Sequence, residues 1–248
     1  MDIIIHGAAG HMGRMVAERA QAEGVSVAAL VDPLSPAGGG ENCFVSLSDV
    51  PAKADAVIDF SSHTATAGLL GWCVRTKTPA VIATTGHTEA ETAMIRAAAK
   101  EIPIFHSANM SLGVAVLTEL AKKAAAAFPA ADIEIVELHH NRKLDVPSGT
   151  ALMLGRAIQD VRPQAVLRIG RHENGRRRAE EIGVHSLRLG NEVGTHEIYI
   201  STENETLTLR HQAHSRALFA DGALAAAAFL ALREPGLYTM KDLAGGTE

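Results

Sequence analysis

Ile3-Ile4-Ile5-His6-Gly7-Ala8-Ala9-Gly10-His11-Met12-Gly13 runs a β-branched stretch straight into a glycine-rich turn. Met15, Val16 and Ala20 then recur at helical spacing up to Gly24, a suitable helix C-cap. Val25 to Val31 forms the next apolar run, and Asp32-Pro33 ends it. Strand, glycine turn, helix, strand is the unit that binds dinucleotides. Small residues let the turn approach a pyrophosphate, and the helix N-terminus offers it N–H donors. The match to G-x-G-x-x-G is incomplete, because Gly10 and Gly13 fit the last two glycines while Ala8 occupies the first. Context supports it: the turn follows a strand, opens a helix, and has a carboxylate, Asp32, about 20 residues on, where the adenosine ribose would lie. The alternative is an ordinary strand–turn–helix connection. Leu34 to Gly40 is a Pro/Gly-rich loop with no Lys or Arg. A 2′-phosphate would meet Asp32 without a neighbouring cation, so the expected cofactor is NADH in preference to NADPH.

The pattern continues through residue 110. Ala54 to Phe60, Pro79 to Ala83 and Ile102 to Phe105 read as strands, Ser61 to Thr64 as a cap, and Thr88 to Lys100 as a helix with a Thr88/Glu91 capping box. Strands alternating with helices predict an α/β, Rossmann-type, doubly wound parallel sheet. Ligands bind at the carboxyl ends of such strands, where Thr84, Thr85 and Asn109 fall. Small polar residues also make turns and caps there, and position alone does not separate the two roles.

Beyond residue 111 the pattern changes. Leu112 to Phe128 reads as a helix, Ile133 to Leu138 as a strand, and Gly149 to Gln159 as a helix. Arg168 to Gly183, with Arg171, Arg176, Arg177 and Arg178, reads as a solvated basic loop or one that closes over an acidic ligand. Three alternating runs follow, from Val184, His196 and Thr206, with Glu203-Asn204-Glu205 turning the last two into a hairpin. Without intervening helices they predict a second, α+β domain with a mixed or antiparallel sheet. Ser215 to Leu232 reads as an alanine-rich helix returning to the first domain, and Gly245 to Glu248 as a frayed end. The expected domains are 1–110 together with 215–248, and 111–214.

Composition narrows the partners. The net charge of −5 gives no reason to expect nucleic acid or an anionic membrane. The longest apolar run, Ala223 to Leu232, is too short for a bilayer, and Asp2 stands where a secretory leader would carry a base. A cytoplasmic protein is expected. Cys43 and Cys73 suggest neither a disulfide framework nor a zinc ribbon.

Glu137-Leu138-His139-His140-Asn141-Arg142-Lys143-Leu144-Asp145-Val146-Pro147-Ser148-Gly149-Thr150 is a run no core requires. A histidine can pass a proton near neutrality, and a lysine supplies a fixed charge or a proton. Hydride addition to a conjugated acceptor needs such donors. Ser148-Gly149-Thr150 opens a helix, which suits a carboxylate. A bare cap, a surface lysine or a metal site are the competing readings. No metal is expected, because neither His139-His140 nor His211-x-x-His214 has a zinc spacing.

This stretch resembles the signature of the 4-hydroxy-tetrahydrodipicolinate (dihydrodipicolinate) reductase family, E-x-H-H-x-x-K-x-D-x-P-S-G-T-A. Gly7 to Gly13 is similar to that family's G-x-x-G-x-M-G, Ala83 to Gly86 to its G-T-T-G, Ser107 to Gly113 to its A-x-N-[FM]-S-x-G, and Ser215 to Ala223 to its C-terminal segment. The resemblance implies reduction of a cyclic imine dicarboxylate by NAD(P)H with loss of water, in the diaminopimelate route to lysine. It implies His139 as proton donor/acceptor and Lys143 as second donor. His140, Ser148, Gly149 and Thr150 would bind substrate. Gly7, Ala8, Ala9, Gly10, His11, Met12, Asp32, Ala83, Thr84, Thr85, Ser107, Ala108, Asn109 and Met110 would bind the cofactor. A homotetramer built through the second domain's sheet is also implied. His11 replaces a common arginine and Ala83 a glycine, and the first change favours NADH further. An aspartate dehydrogenase-like enzyme of the same layout and a non-enzymatic dinucleotide sensor are the alternatives; neither accounts for the paired histidines with Pro-Ser-Gly-Thr.

Overall fold

The computed structural model describes residues 1–34, 40, 42–51 and 53–245. The expected loop between Leu34 and Gly40 and the expected frayed end therefore lie largely outside the described residues. In chain order the elements are β1 (Asp2–His6), α1 (His11–Ala22), β2 (Ser26–Val31), β3 (Cys43–Phe44), β4 (Ala56–Asp59), α2 (Thr66–Thr76), β5 (Ala80–Ile82), α3 (Glu89–Ala98), β6 (Pro103–His106), α4 (Leu112–Ala127), β7 (Asp132–His139), α5 (Gly149–Val161), β8 (Val166–Ile169), β9 (Glu181–Arg188), β10 (Gly194–Ser201), β11 (Thr206–Ala213), α6 (Ala217–Leu230), β12 (Gly236–Tyr238) and α7 (Met240–Leu243). They divide into two compact units, Met1–Leu112 with Ala217–Glu248, and Gly113–Arg216.

The first unit holds a seven-stranded parallel sheet in the order β12-β6-β5-β4-β1-β2-β3. This is the doubly wound sheet expected from the sequence. β1 lies between β4 and β2, so both of its edges are paired, and consecutive Ile3, Ile4 and Ile5 are all fully buried, so both of its faces are covered too. That is why the run is continuously apolar rather than alternating. Each isoleucine contributes about 1.5–3 kcal/mol by leaving water. Leu69, Trp72 and Cys73 of α2 and Ile95 of α3 join the cluster around Ile4. Thr88 caps α3, with its side chain on the Glu91 N–H and the Glu91 carboxylate on the Thr88 N–H. α1 ends as expected near Gly24, whose φ of +69° suits a residue without a side chain.

The second unit holds a five-stranded mixed sheet, β11-β10-β7-β9-β8. β10 pairs antiparallel with β11 and β7, whereas β9 runs parallel to β7 and β8. Its core cluster draws Leu117 and Ala121 from α4, Ala151, Leu154 and Ile158 from α5, and Ile133 and Ile135 from β7. β7 therefore alternates, with Ile133, Ile135, Glu137 and His139 buried and the residues between them less so. The segment expected as a basic loop from Arg168 to Gly183 is strand at both ends: β8 takes in Arg168 and Ile169, and β9 begins at Glu181. β3, β12 and α7 were likewise not anticipated from the sequence. No helix among the described residues is long and apolar enough to cross a membrane.

Candidate active site

In the first unit the glycine turn sits at the carboxyl end of β1. Gly7 has φ +83°, and a side chain there would meet the Phe60 carbonyl group at 2.7 Å. A side chain on Gly13 would lie 2.2 Å from the Gly7 carbonyl oxygen. These two glycines let the turn press on β4 and α1 press on the turn. Gly10 differs: it is the N-cap of α1, no side chain caps that helix, and its first turn carries no acid. An added Cβ at Gly10 would approach only the Gly7 oxygen, at 3.2 Å. The α1 N-terminus, with His11 and Met12 next in line, is thus bare toward solvent and suits an anionic diphosphate.

Asp32 ties to the same turn. Its carboxylate accepts from the Ala9 N–H at 3.0 Å and the Leu34 N–H at 2.8 Å, and its residue is 7% exposed. At the ends of β4 and β5 lies a cavity of about 320 Å³ lined by Phe60, Ser61, Ser62, His63, Ala83, Thr84 and Thr85. The Thr84 hydroxyl donates to Asp59 Oδ2 at 2.7 Å. Asp59 Oδ1 binds His6 Nδ1 at 2.8 Å and accepts from the Ser61 hydroxyl and N–H. Burial pushes the Asp59 pKa up, but the hydrogen bonds with His6, Ser61 and Thr84 outweigh it and hold the carboxyl below its ordinary value. Asp59 and His6 escaped the sequence reading, although Asp59 closes a strand just as Asp32 does. The Ser107 hydroxyl bonds the Asn109 carbonyl at 2.7 Å, and Asn109 Oδ1 accepts from the Ser111 N–H at 2.9 Å. Ala108 lies within this turn, and Met110 closes it against α6, where only a glycine fits: a Cβ on Gly222 would overlap the Met110 carbonyl oxygen at 1.7 Å. The residues present fit a dinucleotide: a capless helix start, a carboxylate beside it, and a cavity at the strand ends.

In the second unit the His139 to Thr150 residues gather at the end of β7. His139 Nδ1 bonds the Glu137 carboxylate, Oε2 side. Arg188 from β9 reaches both Glu137 oxygens, at 2.9 and 2.8 Å, and the Ser148 N–H donates to Oε1 at 3.2 Å. Glu137 is fully buried. Burial alone would raise its pKa; the His139 and Arg188 hydrogen bonds reverse this and hold it far below the usual carboxylate range. Arg188 also donates to the Asp145 carbonyl at 2.8 Å, and Lys143 Nζ pairs with the Asp145 carboxylate at 2.8 Å. His140 Nδ1 is buried with no hydrogen-bond partner, and burial, then Arg142 and Arg216, lower its pKa.

Ser148 is the N-cap of α5. Its hydroxyl accepts from the Ala151 N–H at 3.2 Å and bonds His196 Nε2 at 3.1 Å. Gly149 and Thr150 follow as the first helical residues, with no acid in that first turn. His196, on β10, packs its ring edge-on against His139 with centroids 5.3 Å apart. Its pKa is pushed down to about 4, first by burial and then by His139. Three residues given no role from the sequence thus frame the site: Glu137, which opens the signature, Arg188 and His196. Glu137 carried a signal, because it falls in phase with Ile133 and Ile135 on the core face of β7, where a carboxylate needs a partner. Arg188 and His196 arrive only through strand pairing. In the arginine segment Arg168 pairs with Glu173 and Arg171 with Glu181, while Arg177 reaches Asp132 and Glu134 on β7. Among the described residues, no group of three His, Cys, Asp or Glu is arranged to hold a metal ion.

Comparison with known proteins agrees with this geometry. Residues 1–110 match the family model described as dihydrodipicolinate reductase, N-terminus, and residues 113–244 match its C-terminus. The 4-hydroxy-tetrahydrodipicolinate reductase of Caldanaerobacter subterraneus subsp. tengcongensis is 47% identical over 97% of this chain and 97% of its own. That of Exiguobacterium sp. (strain ATCC BAA-1283 / AT1b) is 42% identical over 98% and 95%. The solved dipicolinate-bound dihydrodipicolinate reductase of Paenisporosarcina sp. TG-14 superposes with a TM-score of 0.82 at 26% identity, covering 96% of this chain and 97% of that one. Aspartate dehydrogenase from Thermotoga maritima shares only the fold, with a TM-score of 0.51 at 13% identity over 93% of this chain and 96% of that one. Both halves of the chain, and every motif that marks them, place it in one lineage: it belongs to the dihydrodipicolinate reductase family.

Proposed function

We propose that this chain is an NAD(P)H-dependent oxidoreductase that reduces 4-hydroxy-tetrahydrodipicolinate to tetrahydrodipicolinate, with loss of water, in lysine and diaminopimelate biosynthesis. The observation that carries it is the complete E-x-H-H-x-x-K-x-D-x-P-S-G-T-A signature, folded into one cluster on the second unit, in a chain that matches the family along its length.

When bound, the reduced nicotinamide supplies the hydride. The first unit holds the dinucleotide: Gly7 to Gly10 shape the turn, their own N–H groups donated to Val31, Asp32 and Gly7, so that the start of α1 at His11 and Met12 meets the diphosphate, and Asp32 accepts from the adenosine ribose. Ala83, Thr84 and Thr85, with Ser107 to Met110, border the nicotinamide. NADH is the preferred cofactor, because Asp32 repels a 2′-phosphate and the sequence from Pro33 to Asn42 contains no cation to offset it. The second unit binds the cyclic dicarboxylate. Gly149 and Thr150 present the α5 N-terminus to one carboxylate, with Ser148 holding that turn in shape, and His140 adds a donor. His139 exchanges a proton with the substrate through Nε2, and Lys143 gives the second proton from its place beside Asp145. The ring loses its hydroxyl together with a neighbouring ring proton as water, and one hydride and one proton then add across the double bond this leaves. Copies of the chain assemble as a homotetramer through the second unit's sheet, whose edge strand β11 is largely exposed; sedimentation as a monomer would remove that part of the proposal.

The test is direct. Pure protein is mixed with NADH and the freshly made aldol product of pyruvate and aspartate semialdehyde, and nicotinamide absorbance is followed. Wild type should consume NADH only when that product is present. His139→Gln and Lys143→Ala should each lose most of kcat while still binding NADH. Absence of turnover by wild type overturns the activity, and full activity in either variant overturns that residue's role.

A further inference from the structure

We infer that Glu137 is a positioning residue for the reaction: it fixes the proton of His139 on Nδ1, so that Nε2 is the atom that trades a proton with substrate. This rests on the proposed role of His139 and adds a residue and a tautomer to it.

The geometry is specific. Glu137 and His139 sit two apart on the buried face of β7, and the carboxylate bonds Nδ1. An ionised carboxylate only accepts, so Nδ1 must carry the hydrogen. Nε2 is then the free lone pair of the neutral ring. The space beside it is kept by Gly194, where a Cβ would stand 3.1 Å from Nε2. Any side chain at that position would crowd the nitrogen that has to reach substrate.

The same carboxylate holds two further parts of the site. Its bidentate bond to Arg188 fixes the β9 end, from which Arg188 reaches the Asp145 carbonyl in the Lys143 loop. Its bond from the Ser148 N–H fixes the start of α5. One buried group therefore sets the relative placement of the proton carrier, the lysine loop and the carboxylate-binding turn. A surface loop would gain nothing from this; a site needing a fixed angle between donor and substrate does.

Charge gives the inference a sign. The groups facing His139 are Glu137 on its own strand, Arg188 on β9, His196 on β10, and His140 and Lys143 in the loop after β7. Burial lowers the pKa of both His196 and His140, so a positive charge on either ring is disfavoured. Lys143 is balanced by Asp145. Glu137 balances Arg188, leaving the pair neutral next to the imidazole. Replacing Glu137 by Gln keeps the shape but leaves the Arg188 charge uncompensated beside His139. An uncompensated positive charge beside it disfavours the protonated ring.

The experiment compares wild type, Glu137→Gln, His139→Gln and the double variant in the reductase assay, with kcat followed across pH and NADH binding followed by fluorescence. Glu137→Gln should lose about tenfold to a hundredfold in kcat, part of the ~10²–10⁴ a positioned proton donor contributes. The ionisation that ends activity on the alkaline side should fall by about one unit or more, with NADH affinity nearly unchanged. The double variant should be no slower than His139→Gln alone. A Glu137→Gln enzyme with wild-type kcat and pH profile overturns the inference, and so does a double variant whose loss is the product of the single losses. Full activity in His139→Gln instead overturns the proton role itself, and the inference falls with it. Should Glu137→Gln fail to fold, ¹⁵N-histidine spectra of wild type decide: His139 protonated on Nδ1 above its pKa supports the inference, and on Nε2 refutes it.

Discussion

Alanine at Gly13 tests how the glycine turn works. A Cβ there would lie 2.2 Å from the Gly7 carbonyl oxygen and 2.7 Å from Ala8 Cα. Both neighbours are backbone, and Gly7 is itself held by its N–H to the Val31 carbonyl at 2.8 Å. Restoring ordinary contact requires the turn or α1 to retreat by about 1 Å. Overpacking of this kind costs ~1–3 kcal/mol, which for a chain of this size lowers Tm by about 2–12 °C. The displacement reaches the start of α1, where His11 and Met12 are proposed to meet the diphosphate. Losing one charge-assisted hydrogen bond removes ~1.5–3 kcal/mol, so NADH should bind about tenfold or more weakly. Gly68→Ala is the control. Gly68 lies within α2, with nothing inside 4 Å of an added Cβ. That change should leave NADH binding alone and stabilise by up to about 1 kcal/mol through helix propensity. Thermal melts and NADH fluorescence titrations read both quantities. A Gly13→Ala protein that melts and binds NADH like wild type would refute the packing argument.

Two further outcomes follow from the same structure. The kcat/KM ratio should favour NADH over NADPH, and Asp32→Ser should erode that preference by weakening NADH and relieving NADPH; a wild type that favours NADPH contradicts the Asp32 reading. The Glu91 pKa is lowered to about 2, mainly by the Thr88 N–H and next by His63. Because its folded pKa lies below the ordinary glutamate value of 4.5, its stabilisation is present above that pH and fades as pH falls toward 2. Glu91→Gln should therefore melt below wild type at neutral pH, with the gap closing between pH 4.5 and 2; a gap independent of pH contradicts this.

Much of this fold was legible because its physics is local. Ile3 to Gly13 shows a fully covered strand and the turn after it. Thr88 and Glu91 declare a helix start by their spacing, and both contacts form. β3, β8 and β12 were not legible: the equally short β4 and β5 are wholly buried and sit in continuous apolar runs, whereas these three are only partly buried and sit in no such run. Val166 to Ile169 was hidden further by the arginines beside it. Candidate site residues were visible where a motif lies along the chain, as from His139 to Thr150. Their partners were not. His196 stands 57 positions beyond His139 and Arg188 stands 51 beyond Glu137, brought in by β10 and β9 pairing with β7. Glu137 was the informative case: a charged residue on the apolar phase of a strand signals a buried partner before any partner is known. Asp59 carries the same lesson in the first unit, for it is a carboxylate at the end of a strand that is wholly buried, itself included.

The central claim is that hydride passes from the nicotinamide to the ring of 4-hydroxy-tetrahydrodipicolinate. Its most direct measurement uses NADH deuterated at the nicotinamide C4, on each face in turn, with the wild-type protein and the freshly formed substrate. The reduced product is isolated and weighed by mass spectrometry. Deuterium should appear in tetrahydrodipicolinate from one face of NADH and not from the other. Oxidised cofactor with no deuterium in the ring product, or no reduced product at all, would contradict the account.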